Sequence, residues 1–373
     1  MRFKEFDESW AIKKLIDVAP LQRGFDLPVE KIQQGIFPVV FSNGILKFHN
    51  EFKVKAPGVV TGRSGTIGKV TFVENDYWPH NTSLWVTDFK TNIPKFIYYF
   101  YSKYNLKRFE TGSGVPTLNR NDVHIQNEYF PNSREQSKIA DFLTLIDAQI
   151  ETQSKIIEEG KSLKEALIKK IFTRTIRFKD DFGNDYVEWQ IKSLGELTNI
   201  VNKRNNKNDK LPVYSISNKF GFVPQGEQFE GIDSNDRGYD MKIYKIIKEK
   251  MFAYNPARIN VGSIGYSGKL DNILISSLYV CFKTTEAIND DFLFQYVKMS
   301  LFNKQVLENM EGGVRSYLFY ENFSRILVGL PCLEEQKKIA YSLSSLDKKI
   351  ETERAILKQY ETQKNYLLAN LFM

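Results

Sequence analysis

The sequence predicts a mixed α/β (α+β) chain built as an internal duplication. Two globular α/β domains are each closed by an amphipathic helical segment, and the two segments are expected to pair as an antiparallel coiled-coil strut between the domains, with a pseudo-twofold relation of the halves. Three observations lead there. REQSKIADFLTLIDAQIET, from residue 134, returns without a gap as EEQKKIAYSLSSLDKKIET, from residue 334. Apolar residues in both copies step by four and three, the period of a helix seam. Between the copies, short β-rich runs alternate with helical stretches.

The repeat is taken first. Glu135/Glu335, Gln136/Gln336, Lys138/Lys338, Ile139/Ile339, Ala140/Ala340, Leu143/Leu343, Asp147/Asp347 and Ile150/Ile350 are identical, and the register holds to Phe172/Phe372. The seam is Ile139, Leu143, Ile146 and Ile150 in one copy and Ile339, Leu343, Leu346 and Ile350 in the other. Ser133 with Gln136 resembles a weak capping box, and Pro131 and Pro331 stop whatever precedes. Asp147 and Asp347 suggest the cap of a second, longer helix, so each copy reads as a short helix followed by a long one. A long helix of about 25 residues would span roughly 38 Å, close to one turn of B-DNA. Gly160 weakens the first copy where Tyr360 fills the second. Two arrangements satisfy the seam: each segment packs on its own domain, or the two segments pair with each other.

The domains carry fainter echoes. RFK occurs at 2–4 and again at 177–179, Trp10 precedes KKLIDV as Trp189 precedes KSLGEL, and GSGVPTL (112–118) answers GGVRSYL (312–318). The order is a first domain over 1–130, a helical region over 131–175, a second domain over 176–330 and a second helical region over 331–373. Runs such as GVVTGRSGTIGKVTFV and NILISSLYVCF read as strands, and 94–110 and 289–310 as helical.

With 373 residues, 42% of them hydrophobic, the chain can build more than one core. MRFKEFDESWAIKK lacks an apolar stretch, so no signal peptide is expected, and no run is long enough to span a membrane. Two distant cysteines, Cys281 and Cys332, suit a reducing cytosol. A formal charge of +7 favours polyanionic partners.

Catalytic motifs fail on spacing. GRSGTIGKV (62–70) has five residues between Gly62 and Gly68, and Val70 where a phosphate loop needs Ser or Thr. It reads instead as a Gly-rich strand turn that brings Arg63, Ser64 and Lys69 toward a ligand. NPAR (255–258) lacks the second proline and the aromatic of an amino-methyltransferase motif, and no methyl-donor glycine loop is found. His49, His80 and His124 have no partner at metal or triad spacing. No metal or catalytic site is expected. What remains is basic, amide-rich loop chemistry suited to base edges and phosphates. The candidates are Arg63, Ser64, Lys69, Asn81, Asn119 and Arg120 in the first domain, and Lys203, Arg204, Asn255, Arg258, Asn260 and Arg315 in the second.

The repeated P-x-x-x-E-Q-x-K-I-A…L…D…I-E blocks (131–151 and 331–351), with TGRSGTIGKV…PHNTSLWV and NPARINVGSIGY…SSLYVCF, resemble the specificity subunits of type I restriction–modification systems. Asp141, Tyr341 and the SREQ start depart mildly from the pattern. The resemblance covers essentially the whole chain. It implies two target-recognition domains, each reading one half of a bipartite double-stranded DNA site, and helical regions that dock two methyltransferase subunits, with restriction subunits joining them in the cytoplasm. S-adenosylmethionine, ATP and Mg²⁺ would then belong to those partners, and this chain would be no enzyme. A rival of another class is a coiled-coil scaffold with two protein-binding α/β modules; a self-sufficient methyltransferase lacks its donor motif.

Overall fold

The structure, a computed structural model, describes residues 1–112, 114–228, 234, 236–312 and 316–372. The chain forms two compact units, residues 1–156 with 353–373 and residues 157–352. Among the described residues, no helix is long and apolar enough to cross a membrane.

In the first unit, a four-stranded sheet runs in the order Leu21–Arg23, Ser83–Val86, Gly58–Gly62, Val70–Val73, antiparallel throughout. One of its two inner strands, GVVTG, is buried along its whole length. Two adjacent valines suit a strand covered on both faces, and a Cβ at Gly58 would lie 2.4 Å from the Tyr77 ring. A second sheet centres on Phe37–Phe41, antiparallel to Gly44–His49 and parallel to Trp78–Pro79. Ala11–Lys14 pairs with Asn127–Phe130. The helix Pro94–Lys103 opens on its proline and buries Phe96, Ile97, Tyr99, Phe100 and Tyr101 against the first sheet's core.

The second unit repeats this plan. Thr198–Ile200, Val280–Thr284, Phe252–Tyr254 and Ile264–Tyr266 form an antiparallel sheet in the matching order. Val213–Ser217 is antiparallel to Gly221–Pro224 and parallel to Ile273–Ile275, and Gln190–Ser193 pairs with Leu327–Leu330. The helical stretch expected over 289–310 is two helices, Asp290–Tyr296 and Ser300–Asn309.

The RFK, tryptophan and Glu-Gln echoes have one physical cause. In the first unit Arg2 donates from Nε and Nη2 to the two carboxylate oxygens of Glu135 (2.8 and 2.7 Å), and Trp10 Nε1 adds a third bond at 3.2 Å. In the second, Arg177 and Trp189 treat Glu335 the same way, at 3.3, 3.0 and 3.0 Å. Both carboxylates are buried, which is tolerable only with such charge-assisted partners. The neighbouring glutamine ties the helix to its domain. Gln136 accepts from Ile93 N (3.0 Å) and donates to Asn92 Oδ1 and Pro131 O, and Gln336 accepts from Asn289 N (2.7 Å) and donates to Pro331 O and Ala287 O.

Two local expectations are corrected. Each copy is one continuous helix, Ser133–Phe172 and Leu333–Leu371, with no second cap at Asp147 or Asp347. Tertiary partners claim both aspartates instead: Asp147 accepts from Tyr99 Oη (2.7 Å) and pairs with Lys364 (2.6 Å), and Asp347 accepts from Gln295 (3.0 Å) and pairs with Lys164 (2.6 Å). Nor is Ser133 a capping residue, because Asn132 Oδ1 accepts from Glu135 N at 2.9 Å and Gln136 faces the domain. Gly160 is where helices come close: a Cβ there would lie 3.2 Å from Ile350 Cγ1.

The seam does both things left open by the sequence. In the first unit Ile139, Leu143 and Ile146 enter the domain core together with Leu367 and Leu371 of the returning helix and Phe372 just past its end, and Ile150 packs at its edge. Pairing is antiparallel, since Asp147 meets Lys364 and Gln153 meets Glu353. In the second unit Ile339 and Leu343 share a core with Ile171, while Ile350 is buried and Leu346 half-buried.

Candidate nucleic-acid interface

The two loops richest in candidates are topologically equivalent. Residues 63–69 join Gly58–Gly62 to Val70–Val73, and residues 255–263 join Phe252–Tyr254 to Ile264–Tyr266, the same strand pair in each unit. A G-T-I-G run at 65–68 answers a G-S-I-G run at 262–265, with Gly65 and Gly262 both at positive φ, while the rest of the two loops differs.

In the first unit the loop is held by main-chain bonds. Arg63 N and Ser64 N donate to Thr82 O (2.9 and 3.1 Å), and Leu118 N donates to Arg63 O (2.8 Å), gathering residues 63–65, 81–82 and 116–119. His80 fixes the PHNTS turn: Nε2 donates to Leu27 O (3.2 Å) and Nδ1 lies 2.9 Å from Thr82 Oγ1. Burial holds this imidazole below its ordinary pKa, with the Leu27 hydrogen bond and Asp26 acting against it. In the second unit Arg258 N donates to Asn255 O, Ser263 N donates to Arg258 O, and Ile259–Val261 form a single 3₁₀ turn.

The candidate side chains divide by what they already do. Asn119 caps the helix Arg120–His124 by accepting from Asn121 N (3.0 Å), and Asn255 accepts from Ala257 N (3.0 Å) to close its own turn. Asn81 donates to Asp26, and Lys69 to Asn43 O. Arg120 is exposed beside His124, whose pKa is lowered by burial first and by Arg120's charge second. By contrast Arg63 and Arg258 make no side-chain hydrogen bond or ion pair among the described residues. Arg258 is exposed, and Arg63 half-buried. An arginine fork left unused on a main-chain-braced loop is free to take a bidentate partner. Ser64 and Asn260 lie beside these two arginines in the same loops. Arg315 lies outside the described residues.

Lys203 and Arg204 do not join Arg258 and Asn260. They line a cavity of about 570 Å³ with Asn206, Lys207, Leu211 and Lys248. Asn260 lines a different one, of about 740 Å³, with Asn218, Lys219 and Phe220. Leu211 precedes and Asn218 follows the strand Val213–Ser217, so the two cavities sit at opposite ends of that strand. Five strand residues make about 16 Å. Candidate residues of the second unit thus line two separate cavities.

Sequence reasoning missed the hairpin turn Asn218–Phe220. A Cβ at Gly262 would lie 3.5 Å from Asn218 O, so the turn rests against the 255–263 loop. Phe220 is 77% exposed. The available signal was an aromatic in a polar, Gly-ended turn, SNKFG, where burial is not expected.

The sequence profile of the type I restriction modification DNA specificity domain matches residues 7–160 and 186–362. The type I restriction enzyme MjaVIII specificity subunit of Methanocaldococcus jannaschii is 26% identical over 298 residues, covering 75% of this chain and 70% of that protein. The crystal structure of a type I restriction–modification S subunit from M. genitalium superposes with a TM-score of 0.66 at 17% identity, covering 100% of this chain and 99% of that one. A second structure, described in connection with complex assembly and conformational transition of the type I R-M system, gives 0.57 at 13% identity, covering 98% of each chain. These last two show a shared fold. The chain belongs to the family of type I restriction–modification specificity subunits.

Proposed function

We propose that, as a specificity subunit, this chain reads a bipartite double-stranded DNA site, one half with each unit, and makes no covalent change itself. The observation that carries this reading is the equivalence of the loops 63–69 and 255–263, each offering an unengaged arginine from the same place in a duplicated fold. A duplicated reader with diverged loops suits two different half-sites. The continuous helices dock the methyltransferase subunits, two of them by the pseudo-symmetry of the repeat, and restriction subunits complete the assembly. S-adenosylmethionine, ATP and Mg²⁺ are supplied through those partners, in the cytoplasm. The structure cited above, described in connection with complex assembly of the type I R-M system, supports this reading by analogy of fold.

Arg258 supplies the test. In the complex assembled with methyltransferase subunits, Arg258→Ala is expected to weaken binding by about 1–3 kcal/mol, with discrimination relaxed at one base pair of the second half-site. Isotherms against single-base variants at several salt concentrations check this. A uniform loss across sequences, with the salt slope reduced by about 1, assigns Arg258 to a phosphate instead. A stable variant with unchanged affinity and discrimination removes Arg258 from the interface.

A further inference from the structure

We propose that the turn Asn218–Phe220 is a second reading element of the second unit, and that Phe220 recognises a thymine methyl group in the major groove. The inference rests on the DNA-reading role proposed for the neighbouring 255–263 loop. Its first support is adjacency. The turn touches that loop at Gly262, and Asn218, Lys219, Phe220 and Asn260 line one cavity.

The second support is duplication. In the first unit the equivalent hairpin turn, Ser42–Asn43 between Phe37–Phe41 and Gly44–His49, is pressed against the equivalent loop. A Cβ at Gly62 would lie 2.6 Å from Ser42 O, and Lys69 donates to Asn43 O. Hairpin turn and strand-joining loop therefore form a composite surface in both units. The turns differ in sequence, and the loops keep a G-T-I-G and a G-S-I-G run, as the juxtaposition persists.

Chemistry supplies the third support. Phe220 makes no ring contact among the described residues and stands 77% exposed, with Val261 beside the cavity 53% exposed. A lone exposed apolar residue is ordinary. Here it occupies the tip of a turn whose other members, Asn218 and Lys219, are polar, on a surface with Asn260. The major groove admits a two-stranded β ribbon, and its apolar landmark is the C5-methyl of thymine. A phenyl ring has no donor or acceptor with which to read anything else there. The first unit's shorter turn has no aromatic, so methyl readout belongs to one half-site only.

The test uses the chain assembled with its methyltransferase subunits and duplexes in which each thymine of the second half-site is replaced in turn by deoxyuridine. One replacement is expected to weaken wild-type binding about fivefold. Phe220→Ala should bind the thymine duplex about fivefold more weakly and be indifferent to deoxyuridine at that position. Phe220→Tyr, which keeps the ring, should retain the dependence, and replacements in the first half-site should not interact with either variant. Three results overturn the inference while leaving the DNA-reading role intact: Phe220→Ala binding like the wild type, a loss that ignores the methyl group at every position, or a second half-site with no thymine in either strand. Failure of the wild-type complex to prefer any sequence overturns the DNA-reading role itself.

Discussion

Leu143→Asp is expected to destabilise the first unit by about 4 kcal/mol or more and to abolish co-purification with a methyltransferase subunit. Leu143 is fully buried in the core that also holds Leu367, Leu371 and Phe372. Truncating such a leucine costs about 2–5 kcal/mol, and an unpaired carboxylate adds its desolvation. Against a typical domain stability of about 5–15 kcal/mol, that removes a large share of the folding margin. Leu145, two residues along the same helix, is 63% exposed, so Leu145→Asp should change stability by no more than about 0.5 kcal/mol. Urea unfolding of the two variants makes the comparison. Equal midpoints would mean that the stripe is not a packed seam.

Glu335→Ala should cost the second unit about 2–3 kcal/mol. The carboxylate has no exposed surface and accepts from Arg177 and from the Trp189 indole. Removing it strands a buried indole N–H and half of a guanidinium fork, and broken buried pairs cost about 3–5 kcal/mol when nothing compensates. Arg177 keeps its bonds to Tyr186 O (3.0 Å) and Val187 O (2.7 Å), which places the effect at the low end. Glu335→Gln retains acceptor capacity and should lose roughly half as much. Guanidinium denaturation monitored by tryptophan fluorescence reads both. A variant Glu335→Ala as stable as the wild type would reduce the duplicated Arg–Glu–Trp arrangement to an accident of ancestry.

What the sequence made legible were features enforced by identical chemistry in both halves. Arg2 and Arg177, Trp10 and Trp189, Glu135 and Glu335 recur because the same buried carboxylate must be satisfied twice. The apolar seam was legible for the same reason, since a four–three step has one structural meaning at this length. Asp147 and Asp347 misled because local propensity favours aspartate at a cap, whereas Lys364, Tyr99, Lys164 and Gln295 decide their role from far away in sequence. Within the loops, amide side chains read alike whether they brace a turn or face a ligand. Asn119 and Asn255 are spent on their own main chain, and only geometry separates them from Asn260. The correspondence of the 63–69 and 255–263 loops rests on one short shared run, G-T-I-G at 65–68 and G-S-I-G at 262–265, and strand order makes it plain.

The most direct measurement is a reader exchange. Residues 1–130 are replaced by the first recognition domain of another specificity subunit, the hybrid is expressed with its methyltransferase subunits, and the methylated sites of the host genome are sequenced. The first half of the bipartite site should change to that of the donor subunit, with the second half untouched. A hybrid that alters both halves, or methylates an undivided site, would contradict two independent readers carried on one duplicated frame.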